Sequence, residues 1–158
     1  MTPGSRIDAH AFLWDPDRLA YPAAAPELRS LSGAYPLDLL RTELAVERIE
    51  GVVLVATTPT AEETRALLAA TEHEPVVLGV VGWVDLAEPD VADRIAALQD
   101  GPGGNRLVGL RHPLRHGSDP DWLLDTRVHR GLAAVAAAGL TFDLAIGTRE
   151  LPAAAQVC

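Results

Sequence analysis

At 158 residues, 48% of them apolar and 22% charged, the chain is long enough to bury a core and too apolar to stay disordered. A formal charge of −9, with no basic stripe, opposes binding to nucleic acid or to an anionic membrane surface. Every basic residue other than histidine is arginine, which excludes Schiff-base chemistry, a P-loop lysine and a carbamylated-lysine metal bridge within the chain.

The only cysteine is Cys158, so no intrachain disulfide and no Cys-x-x-Cys site can form. The start, MTPGSRIDAH, lacks the basic-then-apolar layout of a signal peptide, and no apolar run approaches the roughly 20 residues of a membrane span. A soluble, cytoplasmic protein is the expectation.

In chain order, the first strand is expected over Ile7–His10, and a Pro-, Ala- and Tyr-rich interval from Asp15 to Pro36 reads as an ordered loop. An amphipathic helix follows over Leu37–Ile49, stopped by Gly51. Strand two is expected at Val52–Ala56, after which Thr60 and Glu63 have the spacing of a capping box for the next helix. Strand three covers Val76–Val84; Asp90 is placed to cap VADRIAALQ, which ends in the breaker GPGG. Strand four is expected over Leu107–His112. Thr126 is placed to cap a helix from about Arg127 to Ala138, with Gly139 as its C′ residue. Strand five covers Thr141–Ile146, and ELPAAAQV begins a last helix.

VVLVA, VVLGVVGWV and LVGL are apolar on both faces, as parallel strands covered by helices are. Strand–helix units at roughly 30-residue spacing imply right-handed crossovers and an α/β class. Two architectures fit: a five-stranded doubly wound sheet, and about five-eighths of a (β/α)₈ TIM barrel. Periodicity does not choose between them.

Ligands in either fold meet the C-terminal ends of the strands. Those ends carry His10 and Phe12, Thr57 and Thr58, Trp83 and Asp85, Arg111 and His112, and Asp143. His10 and Phe12, two apart, project to one face; a His-x-His pair there would place two imidazoles on a metal, and only the first is present. A hydrogen-bonded core histidine is the alternative. Arg111 is suited to clamp a carboxylate or a lactone carbonyl oxygen, or else to pair with Asp85 or Asp143. His112, held extended by Pro113, is suited to shuttle a proton near neutral pH. Asp143 lies in the apolar run TFDLAI and needs a partner, for which Arg111 on the adjacent strand is placed. Trp14 and Trp83 flank the mouth, either stacking on a sugar ring or simply packing. His116 to Asp121 reads as a polar loop, and His73 and His129 as solvent-facing.

IDAHAFLWDP, LAYP, VVLVATTPTAEET, VVGWVDL, LVGLRHPL and LTFDLAI, in that order, resemble the amidohydrolase superfamily (amidohydrolase family 2), in its branch of fuconolactonase-like sugar-lactone hydrolases. The resemblance implies an α/β fold of the parallel (β/α)₈ TIM-barrel type, a site at its C-terminal mouth, hydrolysis of a cyclic ester and, where the full metal motif is present, a divalent cation such as zinc. It makes residues 1–158 the N-terminal part of one TIM-barrel hydrolase domain, incomplete at about five β/α units. It places His10 at the metal position; of the residues weighed above, Arg111, His112 and Asp143 are taken as catalytic and Trp14 and Trp83 as substrate-binding. Phe12 stands where the family has its second histidine, and a phenyl ring has no lone pair to give a metal.

The leading expectation is therefore a hydrolase of a small-molecule lactone. The alternatives are a doubly wound binding module, against which stands the lack of a glycine-rich or acidic turn after strand one, and an inactive truncated relative. An open five-stranded sheet would leave two unpaired edges, so a homo-oligomer is also expected.

Overall fold

The computed structural model describes residues 6–15, 33–113 and 119–157. Most of the Asp15–Pro36 interval and residues 116–118 of the expected polar loop lie outside them. Strands β1 (Ile7–Ala11), β2 (Gly51–Val55), β3 (Val77–Gly82), β4 (Leu107–Pro113) and β5 (Thr141–Ala145) alternate with helices α1 (Leu37–Val46), α2 (Ala61–Thr71), α3 (Val91–Gln99), α4 (Thr126–Ala137) and α5 (Leu151–Val157). All neighbouring strands are parallel, in the order β1-β2-β3-β4-β5. A doubly wound sheet reverses direction at a switch point and does not keep sequential order. That alternative is removed, and the sheet is a half-barrel.

Its curl is visible in one contact. Flat neighbouring strands lie about 4.8 Å apart, so β1 and β4, three spacings apart, would be separated by roughly 14 Å. Yet Arg111 Nη1 on β4 lies 3.1 Å from His10 Nε2 on β1. Side chains standing parallel on a flat face would not meet across two intervening strands. Register shifts in the β1–β2, β2–β3 and β3–β4 pairings bend the sheet in the same sense that bulges do.

The core lies between the sheet and its helices. Val52, Leu54, Val77, Val80 and Leu110 are essentially inaccessible, and Leu44, Leu68, Ile95, Val128 and Val135 pack on them from α1 to α4. The continuous apolar reading holds for β2, whereas Leu78 and Val108 are exposed. Both fill a space left on the preceding strand: a Cβ at Gly51 would meet Leu78 Cδ1 at 2.4 Å, and one at Gly79 would meet Val108 Cγ2 at 2.7 Å.

Two helix boundaries and one cap bond depart from expectation. Thr126 is the first residue of α4, and Asp125 caps it by accepting from Arg127 N at 2.8 Å. Asp90 occupies the N-cap of α3 without a cap bond, because its carboxylate accepts from Arg94 Nε at 2.7 Å. Helix α1 ends at Val46, before Gly51 is reached. There Ile49 N donates to Leu44 O at 2.8 Å and Arg48 N to Ala45 O at 3.2 Å, the Schellman pattern, with Arg48 at φ 54 in the position that glycine usually fills. Helix α4 ends in the same way with Gly139, at φ 72, as expected. An L side chain in the left-handed region costs about 1 kcal/mol. Arg48→Gly is therefore expected to raise stability by about 0.5–1 kcal/mol, the gain limited by the greater freedom of glycine in the unfolded chain. Thermal denaturation reads this, and an unchanged or lower Tm would contradict the left-handed assignment.

Candidate active site at the strand C-terminal ends

The segment leaving β1 is tied down where Trp14 and Tyr35 pair antiparallel, Trp14 N donating to Tyr35 O at 3.2 Å and Tyr35 N to Trp14 O at 2.6 Å. This bridge brings the start of α1 over the strand ends and roofs a cavity of about 750 Å³. Phe12, Trp14, Tyr35, Leu39, Pro113 and Ala145 form much of its wall, and its polar lining residues are His10, Glu43, Thr57 and Arg111. A mostly apolar cavity of this size with a few converging polar groups suits a small molecule.

Arg111 is the centre of that polar set. Its Nη1 faces His10 Nε2 at 3.1 Å, its Nη2 donates to Ala56 O at 3.1 Å, and its guanidinium carbon stands 5.5 Å from the centre of the Phe12 ring. A guanidinium only donates, so this contact is a hydrogen bond in the neutral tautomer whose proton is on Nδ1. His10 meets Phe12 edge-on, with centroids 4.9 Å apart. Phe12 thus forms a cation–π contact with a fixed cation.

Asp143 is the register partner of Arg111 on β5, and Ala145, two residues on, lines the cavity. The ion pair expected between Arg111 and Asp143 is not formed: among the described residues no ion pair joins them, because the guanidinium extends across the sheet towards β1 and β2. Asp85 does not pair with Arg111 either; its carboxylate accepts from Ala87 N at 2.9 Å.

His112 and Trp83 come together, but away from this cavity. Trp83 Nε1 donates to His112 Nδ1 at 3.2 Å, and the imidazole stacks on Trp122 with centroids 4.1 Å apart. Burial lowers the His112 pKa, and the nearby Asp85 carboxylate opposes that shift. The sequence places His112 one residue from Arg111, and alternation sends the two side chains to opposite faces. His73 and His129 are solvent-exposed.

Several contributors were not singled out as site groups by their sequence pattern. Tyr35 sits in an unremarkable AYP step, and its role depends on a pairing 21 residues from Trp14. Glu63 is the second. Its spacing from Thr60 signals a cap, and Thr60 does accept from Glu63 N at 3.2 Å, but the carboxylate does not return the bond. It turns instead to the loop after β2, accepting from Thr57 N at 2.9 Å, Thr57 Oγ1 at 2.5 Å, and both the backbone and the hydroxyl of Thr58.

Among the described residues the donors do not fit a divalent metal. His10 is the sole imidazole of the strand-one motif, its Nε2 is turned to a guanidinium, and the described residues contain no group of three or more His, Cys, Asp or Glu placed to hold an ion.

The sequential parallel strands, the curl and the cavity at one rim define half of a (β/α)-barrel with a cavity at the C-terminal ends of its strands. A family model described as amidohydrolase matches residues 7–157, and the chain belongs to that family. An L-fucono-1,5-lactonase from Burkholderia ambifaria is 34% identical over 151 residues, which are 94% of this chain and 50% of that protein. The crystal structure of a Burkholderia multivorans amidohydrolase matches with a TM-score of 0.87 at 28% identity, covering 98% of this chain and 53% of the other. A second crystal form of that protein, with bound zinc, matches with a TM-score of 0.83 at 27% identity, covering 95% and 52%. The chain spans about half the length of the curated relatives it matches.

Proposed function

We propose that the chain is the N-terminal part, residues 1–158, of a single TIM-barrel hydrolase domain that opens a small cyclic ester of the sugar-acid lactone kind. The observation that carries this reading is the Arg111 guanidinium, fixed by His10 and Ala56 in the wall of a largely apolar cavity. The lactone carbonyl oxygen would accept from Arg111, whose positive charge favours the oxyanion formed when water adds to the carbonyl carbon. Collapse breaks the ring C–O bond, the ring oxygen takes a proton, and a hydroxy acid leaves. Asp143, beside Arg111 in register, is the group proposed to take the proton of the attacking water. Trp14, in the cavity wall, offers a face to the sugar ring. His112 and Trp83 act in this reading through the end of β4, bracing the strand that carries Arg111. His10 orients Arg111 instead of binding zinc, and no step passes through a metal.

A chain of charge −9 suits a small-molecule substrate in the cytoplasm and neither nucleic acid nor membrane as partner. Acid release from a panel of sugar-acid lactones, followed in a pH-stat, tests the reading. Turnover above the uncatalysed rate is expected; none across the panel, with the Arg111 contacts intact, would leave an inactive relative.

A further inference from the structure

Ala56 and Thr57 share one peptide group, and the structure holds it at both ends. Its carbonyl oxygen accepts from Arg111 Nη2 at 3.1 Å, and its N–H donates to Glu63 Oε1 at 2.9 Å. The C=O and N–H of a trans peptide point in opposite directions, so the position of one dictates the aim of the other. Glu63 is 5% exposed, in the first turn of α2, and reaches the strand end from the helix layer, whereas Arg111 approaches from the cavity. The β-ladder holds only the preceding half of Ala56, whose N–H donates to Val81 O at 2.9 Å. Rotation about the bond that follows is left to the loop, and there the buried carboxylate is the hydrogen-bond partner of the Thr57 N–H.

We infer that Glu63 is a positioning residue for Arg111, acting through the Ala56–Thr57 peptide. A negative carboxylate on the N–H and a positive guanidinium on the C=O polarise the same amide, and each bond strengthens the other. The carbonyl is thereby aimed into the cavity, and the guanidinium is kept beside His10. Glutamine in place of Glu63 keeps the size but replaces one acceptor oxygen with a donor, which opposes the N–H of Thr57 or of Thr58. The loop must then turn, and the Ala56 carbonyl turns with it. This inference rests on the lactone reading only for its catalytic consequence; the contact itself is measurable without a substrate.

The experiment compares Glu63→Gln with Thr58→Ala in the full chain. Thr58→Ala deletes the hydroxyl's bonds to the other carboxylate oxygen and to Thr60 Oγ1 and leaves the Thr57 N–H bond in place, so it reports lost stability alone. The first readout is the nuclear Overhauser contact between the Arg111 side chain and the His10 ring in labelled, folded protein. Loss of that contact in Glu63→Gln and its retention in Thr58→Ala are expected. Where lactone is turned over, Glu63→Gln is expected to lower kcat about tenfold with KM changed less than threefold, because the misaimed cation serves the oxyanion more than the bound ground state. Retention of the contact in Glu63→Gln would overturn the inference, and so would equal loss in both variants. Should wild type turn over no lactone, the proposed reaction fails while the Overhauser comparison still decides the role of Glu63. If Glu63→Gln does not fold, Glu63→Asp replaces it: the shorter carboxylate keeps the charge but is one methylene from the Thr57 N–H, and an unchanged Arg111–His10 contact there would likewise overturn the inference.

Discussion

Replacing Arg111 with alanine is expected to lower lactone turnover about 10²–10³-fold, equivalent to roughly 3–4 kcal/mol of transition-state stabilisation. The size follows from what the side chain offers at the cavity wall. It supplies a full positive charge, already oriented by His10 Nε2 and Ala56 O, so little reorganisation accompanies the growth of charge on the carbonyl oxygen. Its loss should fall mainly on kcat, since a neutral lactone carbonyl gains less from the cation than an oxyanion does. Stability should change less, because water can enter the cavity and replace the hydrogen bonds to His10 and Ala56. Arg111→Lys should recover part of the rate, because the charge returns while the planar fork that meets His10 and Ala56 together does not. Turnover within threefold of wild type in Arg111→Ala, followed by acid release, would remove Arg111 from the reaction and leave the cavity without its proposed electrophile.

What the sequence disclosed depended on the range of the interactions concerned. The strand positions were legible because Val52 to Val55 and Val77 to Gly82 are apolar at every step, although Leu78 in the second of them is exposed. The Gly139 cap was legible for a local reason, since the residue at φ 72 is the one type that adopts it without strain. The end of α1 was not, because Arg48 takes the same conformation without the usual signal. The direction of Arg111 was legible only as a choice of partners. The pairing with Asp143 was the local option, one strand away, whereas the observed partner His10 lies 101 residues distant and comes within reach only through the curl of the sheet. His112 shows the converse: its ring chemistry invites a proton-transfer role, but its partners Trp83 and Trp122 come from two other loops, and no sequence spacing announces their stacking. For Arg111 and His112 alike, the partner comes within reach only through contacts between distant elements, once β1 and β4 face one another or once Trp122 packs on the end of β4.

The docking of α4 sets the second large effect. Gly131 lies within that helix, where helix propensity alone says that alanine should stabilise by about 1 kcal/mol. The packing says otherwise. A Cβ at Gly131 would lie 2.3 Å from Leu86 O, 2.8 Å from Leu86 Cβ and 2.9 Å from Leu86 C. Two of those atoms are backbone, in the segment that follows β3, and Leu86 is itself almost wholly buried, so no flexible side chain can swing aside. The helix must move off the sheet, opening the contacts that Val128 and Val135 make with the core. Overpacking of this kind costs about 1–3 kcal/mol, and the exposed core surface adds to it at about 25 cal/mol per Å². A net loss of about 2–3 kcal/mol is expected for Gly131→Ala, which for a chain of this size is a fall in Tm of roughly 5–10 °C. Gly139→Ala makes a useful comparison, since a Cβ there meets nothing within 4 Å and the cost is confined to the left-handed backbone, about 1 kcal/mol. Gly131→Ala must therefore be the more damaging of the two in thermal denaturation. A neutral or stabilising Gly131→Ala would mean that α4 does not rest on Leu86 at this distance.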